Sequence, residues 1–113
     1  MEYWHNPRCS KSREALALLE QHGHRPTIRE YLKTPPGTDE IQSVISKLRL
    51  SSARDLMRTK EAIYKELDLK SVEDEDALVQ AMADNPKLIE RPVLINGPRA
   101  ALGRPVERIL DAL

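Results

Sequence analysis

The order of elements legible in this chain, β-α-β, then several helices, then β-β-α, predicts an α/β fold with a small mixed sheet flanked by helices. Three observations carry the prediction. Helical spacing of apolar residues begins at Ser10, between two short strand-like segments. A long helical stretch, about 38–86, separates that opening from the last strands. Near the C-terminus, Asn96-Gly97-Pro98 divides Val93-Leu94-Ile95 from Arg99-Ala100-Ala101-Leu102, which is a hairpin signal.

The elements follow in order. Glu2 to His5 reads as a first strand, ended by the turn signal Asn6-Pro7. Ser10 to about Gln21 reads as a helix. Ala15, Leu18, Leu19 and His22 recur at helical spacing, and Gly23 is placed to end it. Thr27 to Leu32 reads as a second strand with Ile28 and Tyr31 as its packing residues, closed by Pro35-Pro36-Gly37. A β-α-β unit of this spacing makes its strands parallel, with a right-handed crossover.

The middle is helical. Thr38 caps a helix whose face runs Ile41, Val44, Ile45 and Leu48, and Ser52 with Asp55 signals another start near Leu56-Met57. Asp74 to Asp84 forms a further helix, with Leu78, Ala81 and Met82 inward and Asn85-Pro86 as its stop. The acidic run Glu73-Asp74-Glu75-Asp76 lies where negative charge complements that helix's dipole, so it reads as a cap and not a metal site. After the hairpin, whose Pro98 suggests an edge position, Pro105 opens a last helix with Val106, Ile109, Leu110 and Leu113 inward. This order is that of a thioredoxin-like fold with a helical insertion, in a single domain spanning 1–113.

Composition narrows the function. With 113 residues the chain supports one hydrophobic core. Eighteen basic and eighteen acidic side chains cancel, so no global field draws the protein to nucleic acid or anionic lipid. No apolar run approaches the ~18 residues needed to span a bilayer, and Met1-Glu2-Tyr3-Trp4-His5 is no signal core. A cytoplasmic location and a monomer are the expectation. One cysteine excludes an internal disulfide framework and a thiolate zinc cage, and His22 and His24 read as helix-end and loop residues.

That cysteine, Cys9, stands in His5-Asn6-Pro7-Arg8-Cys9-Ser10-Lys11-Ser12-Arg13, directly before the first helix. A free thiol with a pKa of about 8.5 is only a few per cent ionised at neutral pH, and the thiolate is the nucleophile. Arg8, Lys11, Arg13 and a protonated His5 are the charges at hand to lower it, together with the unpaired N–H groups of the helix start. A buried core cysteine is the ordinary alternative. The basic neighbours and the Asn-Pro turn favour an exposed, reactive thiolate.

Four segments together, His5-Asn6-Pro7-x-Cys9-x-x-Ser12, Leu56-Met57-Arg58, Glu90-Arg91-Pro92-Val93 and Gly103-Arg104-Pro105, resemble the glutaredoxin-coupled, ArsC-like arsenate reductase family in order and spacing. The resemblance spans essentially the whole chain and is strongest to the short, arsenate-reductase-related bacterial branch. It implies that Cys9 is the nucleophile that attacks arsenate and that His5 is tied to its lowered pKa. It implies that Arg58, Arg91 and Arg104 hold the oxyanion and its reduced product. Ser12 takes the place of a second cysteine and is grouped with the oxyanion-binding residues. Pro92 matches the cis-proline that thioredoxin-like folds carry before the third strand, so the Arg91-Pro92 bond is expected to be cis.

These roles agree with elementary chemistry. An arginine fork grips two oxygens of a tetrahedral oxyanion while staying charged, and backbone N–H groups of Arg8 to Ser12 can complete the cradle. With no second thiol in the chain, oxidised Cys9 must be resolved from outside. The resemblance implies glutathione as reducing co-substrate, glutaredoxin as partner, and no bound cofactor. Two other readings share the fold. One is a glutathione-dependent thiol-disulfide oxidoreductase. The other is a Spx-like RNA polymerase-binding regulator, whose usual Cys-x-x-Cys switch Ser12 forbids.

Overall fold

The computed structural model describes all 113 residues. They form two compact units, Met1–Thr34 with Arg91–Leu113, and Pro35–Glu90. The first holds the sheet; the second is the helical segment.

The sheet consists of β1 (Glu2–Trp4), β2 (Thr27–Arg29), β3 (Val93–Asn96) and β4 (Arg99–Leu102), in the order β2-β1-β3-β4. β1 and β2 are parallel, with Tyr3 opposite Ile28, while β3 runs antiparallel to both β1 and β4. The mixed thioredoxin-like sheet and the parallel opening unit are as expected. Helix α1 (Ser10–Gln21) links β1 to β2 and ends where Gly23 takes φ +82. Between β3 and β4, Gly97 at φ +59 takes the first central position of the turn.

The core of this unit is Tyr3, Ala15, Leu19, Leu94, Ala101, Ile109 and Ala112. Tyr3, Leu94 and Ala101, opposite one another on neighbouring strands, supply the sheet face, and Ala15 and Leu19, i and i+4 on α1, pack there with Ile109 and Ala112 from the last segment.

Three sequence expectations need correction here. β2 stops at Arg29, and Ile28, on this edge strand, is 44% exposed instead of packed. Tyr31 is buried, but from a turn beyond the strand, where the Lys33 N–H donates to the Glu30 carbonyl at 2.9 Å. His22 is exposed, and its Nδ1 lies 2.9 Å from the Leu18 carbonyl. The last segment, Val106–Ala112, is a 3-10 helix, not an α-helix. Its period of three puts Ile109 and Ala112 in the core, with Val106, at the segment's first position on the same face, only partly buried, and leaves Leu110 and Leu113 off that face at the margin.

The helical unit contains α2 (Thr38–Lys47), α3 (Ala62–Glu66) and α4 (Glu75–Asp84), and α2 packs on α4. Ile41, Val44, Leu78 and Met82 are buried. Gly37, not Thr38, occupies the cap of α2, and its N–H donates to Glu40 Oε1 at 3.1 Å. Asp74 caps α4 by accepting from the Asp76 N–H at 3.0 Å.

Ser52 does cap a helix start, but only a 3-10 turn over Ala53–Leu56 follows. The chain then extends: the Arg58 N–H donates to the Leu88 carbonyl, and the Glu90 N–H to the Leu56 carbonyl, both at 2.7 Å. Those bonds, with the Met57–Ile89 bridge, consume the backbone groups a longer helix would need. No helix is long and apolar enough to cross a membrane.

Candidate active site

Everything around Cys9 starts from the loop that leaves β1. The Cys9 N–H donates to the Asn6 carbonyl at 2.9 Å, and the Arg8 N–H to Asn6 Oδ1 at 3.1 Å. Arg13 reaches back from α1 to donate to the Pro7 carbonyl at 2.8 Å. The loop is therefore pinned at both ends, and it delivers Cys9 half-buried at the cap of α1.

Burial alone would push the Cys9 thiol up. It is nevertheless held below its ordinary value, by the Ser12 N–H, then the Arg91 charge, the Lys11 N–H and a hydrogen bond from Arg91. The helix start acts as expected; the charges differ from expectation. Arg8, Lys11 and Arg13 lie nearest in sequence, yet the cation acting on the sulfur is Arg91. Its Nε and Nη1 are out of solvent, where a charge interacts more strongly.

His5 is likewise not the cation the sequence suggested. Burial holds its pKa below the imidazole value of 6.5; Glu30 opposes this and Arg13 adds to it. The ring is neutral at pH 7. Its Nδ1 lies 2.7 Å from Ser12 Oγ, and the same oxygen accepts from the Asn6 N–H at 3.0 Å. Ser12 Oγ thus joins the His5 ring to the Asn6 backbone N–H.

Ser12 is completely buried, so its hydroxyl serves this internal network instead of facing an incoming anion. That corrects its grouping with the oxyanion-binding side chains. It is Ser12's backbone N–H, not its hydroxyl, that acts on the sulfur.

The strand β3 supplies the opposite wall. The Arg91-Pro92 bond is cis, as expected, and so is Arg104-Pro105. The Gly103 N–H donates to the Pro92 carbonyl at 3.1 Å, and Arg104 Nε donates to the Arg91 carbonyl at 2.9 Å. Arg104 thus fixes the backbone that carries Arg91. Of the residues singled out from sequence, Cys9, His5, Ser12, Arg91, Pro92 and Arg104 lie in the first unit. Arg58 belongs to the second, where its guanidinium pairs with Glu61.

Two contributors escaped the sequence reading. The Tyr3 hydroxyl donates to the Ser12 carbonyl at 2.6 Å. Burial raises its pKa well above the phenol range, with the Ser12 bond opposing and the Cys9 charge adding, so it stays a donor. Gly103 is the other: a Cβ there would lie 2.7 Å from Pro92 Cγ and 3.4 Å from Ala15 Cβ. An aromatic two residues before the strand-end histidine was the only available signal for the first. Gly103 stood in the Gly103-Arg104-Pro105 segment of the resemblance, but nothing there signalled its packing against Pro92.

The assembled groups can hold a nucleophilic sulfur anion beside a guanidinium able to grip a tetrahedral oxyanion. Known proteins resemble this chain over nearly its whole length. The ArsC family matches residues 4–112. An arsenate reductase of Neisseria meningitidis is 49% identical over 110 residues, covering 96% of this chain and 94% of that protein. An uncharacterised Escherichia coli protein, YfgD, is 48% identical and covers 98% of this chain and 94% of its own. The structure of an arsenate reductase from Vibrio cholerae superposes with a TM-score of 0.96 at 46% identity, covering 100% of this chain and 98% of that one. With its family match running through both units and the thiolate cradle in place, the chain belongs to the ArsC family.

Proposed function

We propose that this protein is an arsenate reductase in which Cys9 is the nucleophile and glutathione, with glutaredoxin, supplies the electrons. The observation that carries the reading is the Cys9 thiol held below its ordinary pKa beside the Arg91 guanidinium, whose Nε and Nη1 are out of solvent. One positive group stabilises both the sulfur anion and an approaching oxyanion, and an arginine keeps that charge at any working pH.

In this cycle the Cys9 sulfur bonds to arsenic and one arsenate oxygen leaves as water. A glutathione thiolate then attacks, arsenic departs as arsenite, and the sulfurs of Cys9 and glutathione are joined. The two electrons that take arsenic from the pentavalent to the trivalent state come from forming that disulfide. Glutaredoxin reduces it and restores Cys9. Arg91 and Arg104 hold the anion in this reading, and Arg58 is the third arginine that the family resemblance assigns to it. The protein is taken to work as a cytoplasmic monomer.

The test is arsenite formation from arsenate with glutathione and glutaredoxin. Wild-type protein should produce arsenite, Cys9→Ser none, and Arg58→Ala and Arg91→Ala should weaken oxyanion handling, seen first in KM for arsenate. Arsenite no higher than the Cys9→Ser background would replace this reading with a glutathione-dependent thiol-disulfide oxidoreductase.

A further inference from the structure

Beside the Cys9 site lies a groove of about 420 Å³ whose lining includes Lys11, Glu14, Gly103, Arg104, Val106 and Glu107. That volume is within the range of small-molecule clefts, roughly 300–1,000 Å³. The groove shares structure with the thiolate site. Lys11 contributes its N–H to Cys9 and its side chain to the groove, and Arg104, through Nε, holds the Arg91 carbonyl.

Its charges are mixed. Lys11 and Glu14 face it from α1 at i, i+3, while Arg104 and Glu107, also three apart, face it from the segment after β4. Two carboxylates among the lining residues make it a poor second site for arsenate or phosphate, which either would repel. A ligand carrying both signs of charge is the matching chemistry. The Lys11–Glu14 ion pair spans 3.6 Å with both side chains more than half exposed, so exchanging it for ligand contacts costs little.

We propose that this groove seats the reducing thiol: a small zwitterionic peptide thiol with two carboxylates and one ammonium group, the chemistry of glutathione. Lys11 and Arg104 meet the carboxylates, Glu14 and Glu107 meet the ammonium, and the margin of Val106 packs against the ligand's apolar atoms. The assignment rests on the reading of glutathione as reductant, but its test needs no arsenate. In the reverse half-reaction the Cys9 thiolate attacks glutathione disulfide. One S–S bond breaks, one forms between Cys9 and glutathione, and one glutathione thiolate leaves.

The experiment follows that mixed disulfide by intact mass on the full chain, using glutathione disulfide and the uncharged bis(2-hydroxyethyl) disulfide as probes. The Glu14→Gln/Glu107→Gln double variant should lose about five-fold in rate with glutathione disulfide, as expected for one exposed charge contact. Its rate with the uncharged disulfide should be unchanged. Taking the ratio of the two rates within each protein cancels any loss of folded fraction. An unchanged ratio overturns the groove assignment. The arsenate reading is judged separately, by arsenite formed with any thiol, so either can fail alone.

Discussion

His5 Nδ1 and Ser12 Oγ lie 2.7 Å apart in the buried interior, and the bond between them turns the strand-end histidine into a support for the first turn of α1. The same Ser12 is bonded three times over: its hydroxyl to His5 and Asn6, its carbonyl to Tyr3. Ser12 therefore fixes where the helix start points its N–H groups.

Ser12→Ala leaves the Asn6 N–H and His5 Nδ1 without their shared partner. A buried polar group stripped of its bond costs roughly 1–3 kcal/mol, which urea denaturation should register. Tyr3→Phe removes one donor only and should cost about 1 kcal/mol.

Arg91→Gln removes the cation that acts on the sulfur. Thiolate absorbance, titrated in the ultraviolet, should show the Cys9 transition moving up towards the ordinary thiol value. In the wild type, reaction with a neutral alkylating reagent should rise with pH through the lowered value and level off below 9.0. Coincident titrations of the two proteins would contradict the role given to Arg91.

Stability should depend on pH through His5. Its folded pKa lies below 6.5, so under that pH the unfolded chain binds a proton that the folded protein does not. Folding is then progressively weakened as pH falls from 6.5 to the folded value, and the loss is constant beneath it. Urea midpoints measured across this range should show that slope, and His5→Gln should remove its share.

Gly103→Ala should destabilise by about 1–3 kcal/mol, because the added methyl would stand 2.7 Å from Pro92 Cγ. If Tm does not move, the packing between these segments is looser than described.

Legibility in the sequence followed the range of the interactions. Helix α1 could be read to the residue because Leu19, Ala15 and Gly23 encode its face and its end locally. The β3–β4 hairpin could be read because Gly97 must take positive φ. The 3-10 geometry of Val106–Ala112 could not, since Val106, Ile109, Leu110 and Leu113 match the α-helical period while Val106, Ile109 and Ala112 match a period of three, and packing chooses between them. In the site, the lowered pKa of Cys9 and the cis Arg91-Pro92 bond were accessible, the first from its place at a helix start and the second from the family resemblance. The source of positive charge was not. Adjacency favoured Arg8, Lys11 and Arg13, but burial decides which cation counts, and only the fold brings Arg91 to Cys9. Burial likewise reversed the charge state read for His5.

With a neutral His5, Cys9 and Arg91 form a nearly charge-balanced couple whenever the sulfur is ionised. Any covalent adduct at Cys9 abolishes the sulfur's charge while the guanidinium keeps its own. The counterion relationship then passes from the sulfur to whatever anion the adduct carries. In the proposed reaction Arg91 is in that sense a hand-over point: the group that prepares the nucleophile would be the one that retains what the nucleophile captures.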